Sequence, residues 1–401
     1  MPRDTYEIIE AAVSDYSEAD TIVTRTDTRG VIQFCNATCV RLSGYDASDL
    51  LGAPHKIVRH PDMPKAVFRL FWDSLNASQT FCAFIKNRAQ DGRYYWVFAV
   101  AVPVSGGYLS VRIKPAAQLL PKVEALYADL LAAEQSGKTY EACYDTLLSA
   151  LSDMGYRDYR AFMGHALAAE LKARAEKIGQ PIAPSILEFE TIGGGLSELR
   201  QAVDQVQGLF DAVRDSPANL SILSSKLTQR RESMLVVARN YGTLMDEMVE
   251  AIDTLSASVA EILDTVFEGR VQQCASLLYT EALQDKGDGL TEDGIGTEES
   301  TREAIVLRQS LAEFQQEADA SIARISASVT AFSGQNRALK RLLSGLAMAN
   351  IVCQMEAAGI LEHRDSISEI SQRLIKFQAA LAEALEKIAE ICDTLNKCEL
   401  N

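Results

Sequence analysis

Between Asp20 and Pro115 the apolar positions come in short runs of strand length. TIVTRTD, VIQFCN, TFCAFIKNR, RYYWVFAVAV and YLSVRI are rich in β-branched and aromatic residues, and the turn signals TRG (28–30), QDG (90–92) and SGG (105–107) punctuate them. Between the second and third runs, NATCVRLSGY predicts a short helix ending near Gly44, and DASDLLG a second with Asp46 as its N-cap. A longer amphipathic helix follows, with Pro64 in its first turn, where a missing N–H is harmless. Strand, strand, short helices, longer helix and three strands together predict an α+β domain, an antiparallel sheet with its helices on one side.

After Leu119 the period changes. LLPKVEALYADLLAAEQSG predicts one helix leaving the sheet, and residues 140–179 one or two more. The triplet GGG at 193–195 reads as a loop or a helix start. Beyond it, apolar residues step by three and four along four seams: Leu196 to Val213, Met248 to Val266, Ile322 to Leu346, and Ile367 to Leu381. Such seams must be buried against other helices, so a long all-α bundle or coiled-coil region is expected, with a homodimer as the way to cover them. Asn336 interrupts the third seam and reads as a register-setting residue of a helical oligomer. QDKGDGLTEDGIGTEES, Gly-rich and acidic, reads as a surface linker. The resulting division is an N-terminal cap (1–19), a mixed domain (20–117), a helical connector (118–192), a first helical segment (193–283), the linker (284–300) and a second helical segment (301–401).

Composition narrows the function. The 401 residues carry 39 Lys plus Arg against 55 Asp plus Glu, a formal charge of −16, which disfavours a phosphate backbone and argues against nucleic acid as a partner. No uncharged apolar run reaches membrane-spanning length and MPRDTYEIIEAA is no signal peptide, so a cytoplasmic protein without membrane insertion is expected. The eight cysteines include no CxxC pair and read as small apolar residues. Neither a P-loop nor a Gly-rich ATP lid follows the mixed domain, and an enzyme is not expected.

The candidate chemistry lies in VRHPDMPKAVFRLFWDSL, 58–75. Asp62 reads as a helix cap, and Arg59 beside a helix N-terminus offers a seat for a phosphate or carboxylate, although on spacing alone a surface ion pair is the more ordinary reading of the cluster. Taken by themselves, Phe34, Phe68, Phe84 and Trp72 read as plain core packing. His55 and His60 leave haem as a less favoured alternative, since a lone His is more often structural.

The run PHKIVRHPDMPKAVF, followed by FWDSL, IKNR, DGRYYW and AVPV, is similar to the sensory PAS domain of bacterial aerotaxis receptors over roughly residues 20–115. The resemblance implies non-covalently bound FAD and a redox-reporting role; for such a ring Phe34, Phe68, Phe84 and Trp72 would line an apolar slot, and Asn36 or Asn87 would offer amide groups to its edge. Carried over by motif, the FAD contacts are Asn36, Arg59, His60, Asp62, Trp72 and Asn87. TFCAFIKNR departs from the family's usual pattern, which has an aromatic and a small Gly-containing pair ahead of its KNR. VRHPDMP stands where a light-sensing relative has its adduct-forming Cys. Segments 218–248 and 349–370 resemble degenerate chemoreceptor hairpins, with Arg230 and Arg231 at the centre of the first. This implies an aerotaxis- or chemotaxis-type signal transducer and, as possible partners, a chemotaxis histidine kinase and its coupling protein. The alternative is a non-enzymatic scaffold or adaptor with an empty, dimerising PAS domain.

Overall fold

The protein is represented by a computed structural model, which describes residues 9–284, 297–360 and 363–397. The expected linker therefore lies outside the described residues from 285 to 296, as does the cap from 1 to 8. The chain forms two compact units, one of residues 1–187 and 267–320, the other of 188–266 and 321–401. No helix among the described residues is long and apolar enough to cross a membrane.

In the first unit, β1 (Thr21–Asp27), β2 (Ile32–Cys35), β3 (Phe81–Arg88), β4 (Tyr94–Val104) and β5 (Gly107–Ile113) form a sheet ordered β2-β1-β5-β4-β3. Every neighbouring pair is antiparallel. The period of two sends Thr24, Thr26, Ile85, Asn87, Ala99, Ala101, Ser110 and Arg112 to one face, toward α1 (Ala37–Ser43), α2 (Ala47–Leu50) and α3 (Lys65–Asn76). Asn36 caps α1, its Oδ1 accepting the Cys39 N–H at 3.1 Å, and Gly44 closes that helix in the left-handed region. Asp46 stands at the N-cap of α2 without bonding through its side chain.

The opposite face is covered too, which the strand pattern alone did not indicate. Phe84 and Phe98 pack edge to face at 4.8 Å there, against Phe162 of α6 (Tyr159–Ile178). Three tyrosines fix the covering helices to backbone carbonyls of the sheet: Tyr127 of α4 (Leu120–Gln135) to Phe84, Tyr159 to Cys82, and Tyr279 of α9 (Arg231–Gln284) to Leu109. The helix α5 (Tyr140–Asp153) completes this connector.

In the second unit, α7 (Pro184–Asp211), α8 (Ser216–Ser225), α10 (Thr297–Ala357), α11 (Arg364–Lys397) and α9 contribute to one apolar core. The triplet 193–195 lies inside α7 instead of opening a loop or a helix. A Cβ on Gly195 would come within 2.9 Å of a Leu395 methyl, so the glycine admits a neighbouring helix closely. The four seams are buried within one chain, Ile322 only partly. Coverage of the seams therefore does not demand a second chain, and the premise behind the expected dimer changes. Asn336 likewise finds its partner internally, donating from Nδ2 to the Leu385 carbonyl at 3.0 Å. Arg230 sits at the turn before α9, pairs with Glu356 at 3.1 Å and lies over Gly359.

Candidate functional site: a cationic cleft on the sheet

Between the sheet and α3 lies a cleft of about 110 Å³. Small side chains open it: Ala99 and Ala101 of β4 leave space where larger residues would fill the layer. Phe68, Phe71 and Trp72 of α3 supply the far wall, and Tyr108 packs edge to face on Trp72 at 5.7 Å. Gly30 lets Trp72 in, since a Cβ there would stand 2.9 Å from its ring and the backbone has a φ of +76°.

The polar lining is lopsided in charge. Lys56, Arg59 and Arg112 line the cleft, and no Asp or Glu does. Arg112 is only 6% exposed and no carboxylate among the described residues lies within ion-pair distance of it. One guanidinium nitrogen donates to Thr24 Oγ1 and another to His55 Nε2, each at 2.8 Å. Burial and the adjacent guanidinium push the His55 pKa down to about 3, so the ring is neutral and accepts at Nε2. Ser110, two residues along β5 from Arg112, has a buried hydroxyl with no hydrogen-bond partner.

The segment carrying the sequence-identified charges runs along the open edge of β3. Arg59 forms an antiparallel bridge with Asn87, the His60 N–H donates to the Lys86 carbonyl, and the Lys86 N–H donates to Met63 Sδ. An exposed sheet edge is thereby covered. Arg59 spreads over the Phe68 ring at 3.7 Å and donates to the Met63 carbonyl. His60 is wholly buried, with Nδ1 accepting the Asp62 N–H, and its Nε2 has no partner. Asp62 pairs with Lys86 at 2.6 Å and does not cap α3; Pro64 occupies that N-cap instead. The α3 N-terminus takes a carboxylate from within the protein, because Glu134 of α4 accepts the Ala66 N–H at 2.9 Å. The phosphate seat imagined there is already occupied.

Of the six residues carried over by motif, Arg59, Trp72 and Asn87 line the cleft together. His60 and Asp62 stand at the β3 edge behind it. Asn36 is spent on backbone, accepting from Val23 and Cys39 and donating to the Thr21 carbonyl at 2.8 Å. Phe68 joins the slot, whereas Phe84 points to the other face of the sheet and Phe34 is core. Sequence reasoning missed Arg112, His55 as its partner, and Ser110. The available signal was the alternation in YLSVRI, which places Ser110 and Arg112 on the same face as Tyr108.

A profile of the PAS fold matches residues 32–111. The aerotaxis receptor of Escherichia coli (strain K12) is 38% identical over 126 residues, covering 30% of this chain and 25% of that receptor, so the likeness spans a quarter of the relative's length. Among solved structures, the PAS domain of a protein from Colwellia psychrerythraea is 19% identical, with 23% of this chain and 85% of that one covered and a TM-score of 0.21. An RNA-binding light-oxygen-voltage receptor is also 19% identical, over 28% of this chain and 34% of its own, with a TM-score of 0.23. At such scores these two likenesses carry no argument. The N-terminal sheet and its helices have the PAS fold that the profile matches over residues 32–111 and are similar in sequence to a quarter of the aerotaxis receptor, and beyond β5 the described elements are helices.

Proposed function

We propose that the cleft binds a flavin, FAD, and that the protein is a cytoplasmic, non-enzymatic transducer of redox or oxygen signals whose helical unit delivers a chemoreceptor-like output. One observation carries this reading. An aromatic-walled cleft holding three cations and no acid lies in a domain that shares 38% identity with an aerotaxis receptor. Aromatic walls suit a flat ring, Asn87 and Ser110 suit its polar edge, and Arg59 and Lys56 suit a pyrophosphate. The residues fit the group, on condition that α3 gives way. At about 110 Å³ the cleft falls below the roughly 300–1,000 Å³ of small-molecule sites, so Phe71 and Trp72 must move outward to admit a tricyclic ring. Haem is less well served: the His55 Nε2 is engaged by Arg112, and His60 does not line the cleft.

In this reading Arg59, Asn87 and Trp72 touch the cofactor, while Asn36, His60 and Asp62 hold the surrounding backbone. The transducer works as a homodimer, with a chemotaxis kinase or its coupling protein as the class of partner. The purified protein is expected to be yellow, absorbing at about 450 nm. Arg59→Ala and Asn87→Ala should each weaken FAD binding by about 1–3 kcal/mol without unfolding the chain. Colourless, folded preparations would favour the empty scaffold, and a monomer at micromolar concentration in sedimentation would remove the dimer.

A further inference from the structure

Two thiols meet where β2 turns into α1. Thr24 pairs with Cys35 across β1 and β2, which sets the Cys35 side chain on the face of Thr24, the face that α1 covers. Cys39 is the third residue of α1. Asn36 locks the turn between them: its Oδ1 accepts the Cys39 N–H at 3.1 Å and the Val23 N–H at 3.0 Å, and its Nδ2 donates to the Thr21 carbonyl at 2.8 Å. The turn brings the two sulfurs into hydrogen-bond contact, the Cys39 S–H donating to Cys35. That bond holds the Cys35 thiol below its ordinary pKa of 9.0 and leaves Cys39 as the protonated member of the pair. The Arg112 guanidinium adds a positive charge near Cys39. Cys82 and Cys274 also neighbour each other, but on the opposite face of the sheet, and burial raises both. Burial raises Cys353 and Cys392 of the helical unit as well. Cys35 and Cys39 are only 4% and 6% exposed, yet Thr24 and Arg112 line the cleft, so its floor adjoins the pair and offers a small oxidant an approach.

We propose that Cys35 and Cys39 form a dithiol that a hydroperoxide converts to an intramolecular disulfide, an oxidant-sensitive site of this protein that needs no flavin. The Cys35 thiolate attacks one peroxide oxygen; an S–O bond forms, the O–O bond breaks, and the leaving oxygen takes up a proton. The Cys39 sulfur, giving up its proton, then attacks the Cys35 sulfenic acid; the S–S bond forms, the S–O bond breaks, and water leaves. Two thiols lose two electrons and two protons, and hydrogen peroxide becomes two waters. The cross-link ties the end of β2 to α1 beside Thr24, whose hydroxyl holds Arg112 at the cleft floor.

The test treats the full-length protein with hydrogen peroxide, blocks free thiols with iodoacetamide and cuts the chain with trypsin. Cleavage after Arg29 and Arg41 releases GVIQFCNATCVR, which carries both cysteines and no other. Peroxide should turn this peptide from its doubly alkylated form into one without alkylation, two hydrogens lighter than the dithiol. Dithiothreitol before blocking should restore both alkylations. In Cys39→Ser the Cys35 sulfenic acid has no resolving thiol and should be captured by dimedone, whereas in Cys35→Ser the Cys39 thiol should stay open to alkylation. Full alkylation of the parent peptide after peroxide overturns the proposal. So does oxidation of the Cys82 and Cys274 peptides at the same rate, which would report reaction through unfolding. The flavin reading fails separately, since a colourless protein that forms the Cys35–Cys39 bond removes the flavin and keeps the dithiol.

Discussion

The two units bury similar apolar side chains and differ in the polar ones: among the described residues, the buried ionisable groups His60, Arg112, Glu170 and Arg174 all lie in the first unit. In the helical unit the core is a set of apolar seams whose buried polar groups are neutral: the Asn336 amide donates to the Leu385 carbonyl, while its Oδ1 and the Gln335 Oε1 have no partner. In the first unit the core encloses a guanidinium without a counter-ion at Arg112, an orphan hydroxyl at Ser110, an unpartnered His60 Nε2 and a buried carboxylate, Glu170. Each of these is a local cost that packing alone would remove. The difference teaches that a buried charge without a counter-ion, which costs more than a buried neutral amide or hydroxyl, sits in the unit that carries the cleft.

The largest effect should separate the two cores by truncation. Phe332 is fully buried in the helical unit, and Phe332→Ala should cost about 3–5 kcal/mol in urea denaturation followed by circular dichroism. Trp72 is only partly buried, since it forms the wall of a cleft. Trp72→Ala should cost clearly less stability and yet, on the flavin reading proposed above, remove most of the flavin. Equal stability costs for the two, with flavin content unchanged, would abolish the contrast between a filled core and a core built around a ligand.

A smaller effect sharpens the contrast through pH. Glu170 of α6 accepts the Ala116 and Ala117 N–H groups with Oε2, tying α6 to the segment that leaves β5, while Oε1 has no partner. Burial outweighs these two hydrogen bonds and raises the carboxyl pKa above its ordinary 4.5. The native state therefore holds this proton more tightly than the unfolded chain. The sign follows: the contribution to stability is complete below about pH 4.5 and is lost as pH rises through the raised native pKa. Glu170→Gln keeps an acceptor for both N–H groups and has no charge to bury. It should flatten the fall in stability across that window and be the more stable protein at neutral pH. An unchanged slope would show that Glu170 is not the group responsible.

Much of this contrast was legible in the sequence, for reasons that can be named. All five strands were visible because the sheet's alternation survives at its ends, and the seams because a period of three and four admits few other structures. Arg59, Trp72 and Asn87 fell together because their motifs bracket one cleft. Three things stayed hidden. The charged run at 59–62 looked like a ligand seat, but Asp62 serves Lys86 and the α3 N-terminus is met by Glu134, a residue 68 positions downstream of Ala66. No local pattern reports such a partner. Arg112 was hidden by its place in an ordinary strand, since a missing counter-ion is a fact about three dimensions. The glycines at 193–195 suggested a break because propensity is a weak prior, and the close approach of Leu395 explains why one of them is tolerated in mid-helix.

The smallest predicted effect concerns how each unit shapes a turn. In the first unit the left-handed position between β1 and β2 is Gly30, with a φ of +76°, and the same glycine admits Trp72 to the cleft. At the corresponding need before α9, the helical unit uses Arg230 with a φ of +54°. A side chain there costs about 1–2 kcal/mol of backbone strain. The Arg230–Glu356 pair offsets part of it, but Arg230 is about half exposed, and such pairs contribute only about 0–1 kcal/mol. Arg230→Ala keeps the strain and loses the pair, so it should be less stable than the parent by up to about 1 kcal/mol. Arg230→Gly loses the same pair but relieves the strain, and should match or slightly exceed the parent in urea midpoint. If glycine proves as destabilising as alanine, the turn is not strained and the ion pair with Glu356 accounts for the whole effect. If both variants match the parent, neither term matters, and the two units do not differ in how their turns are made.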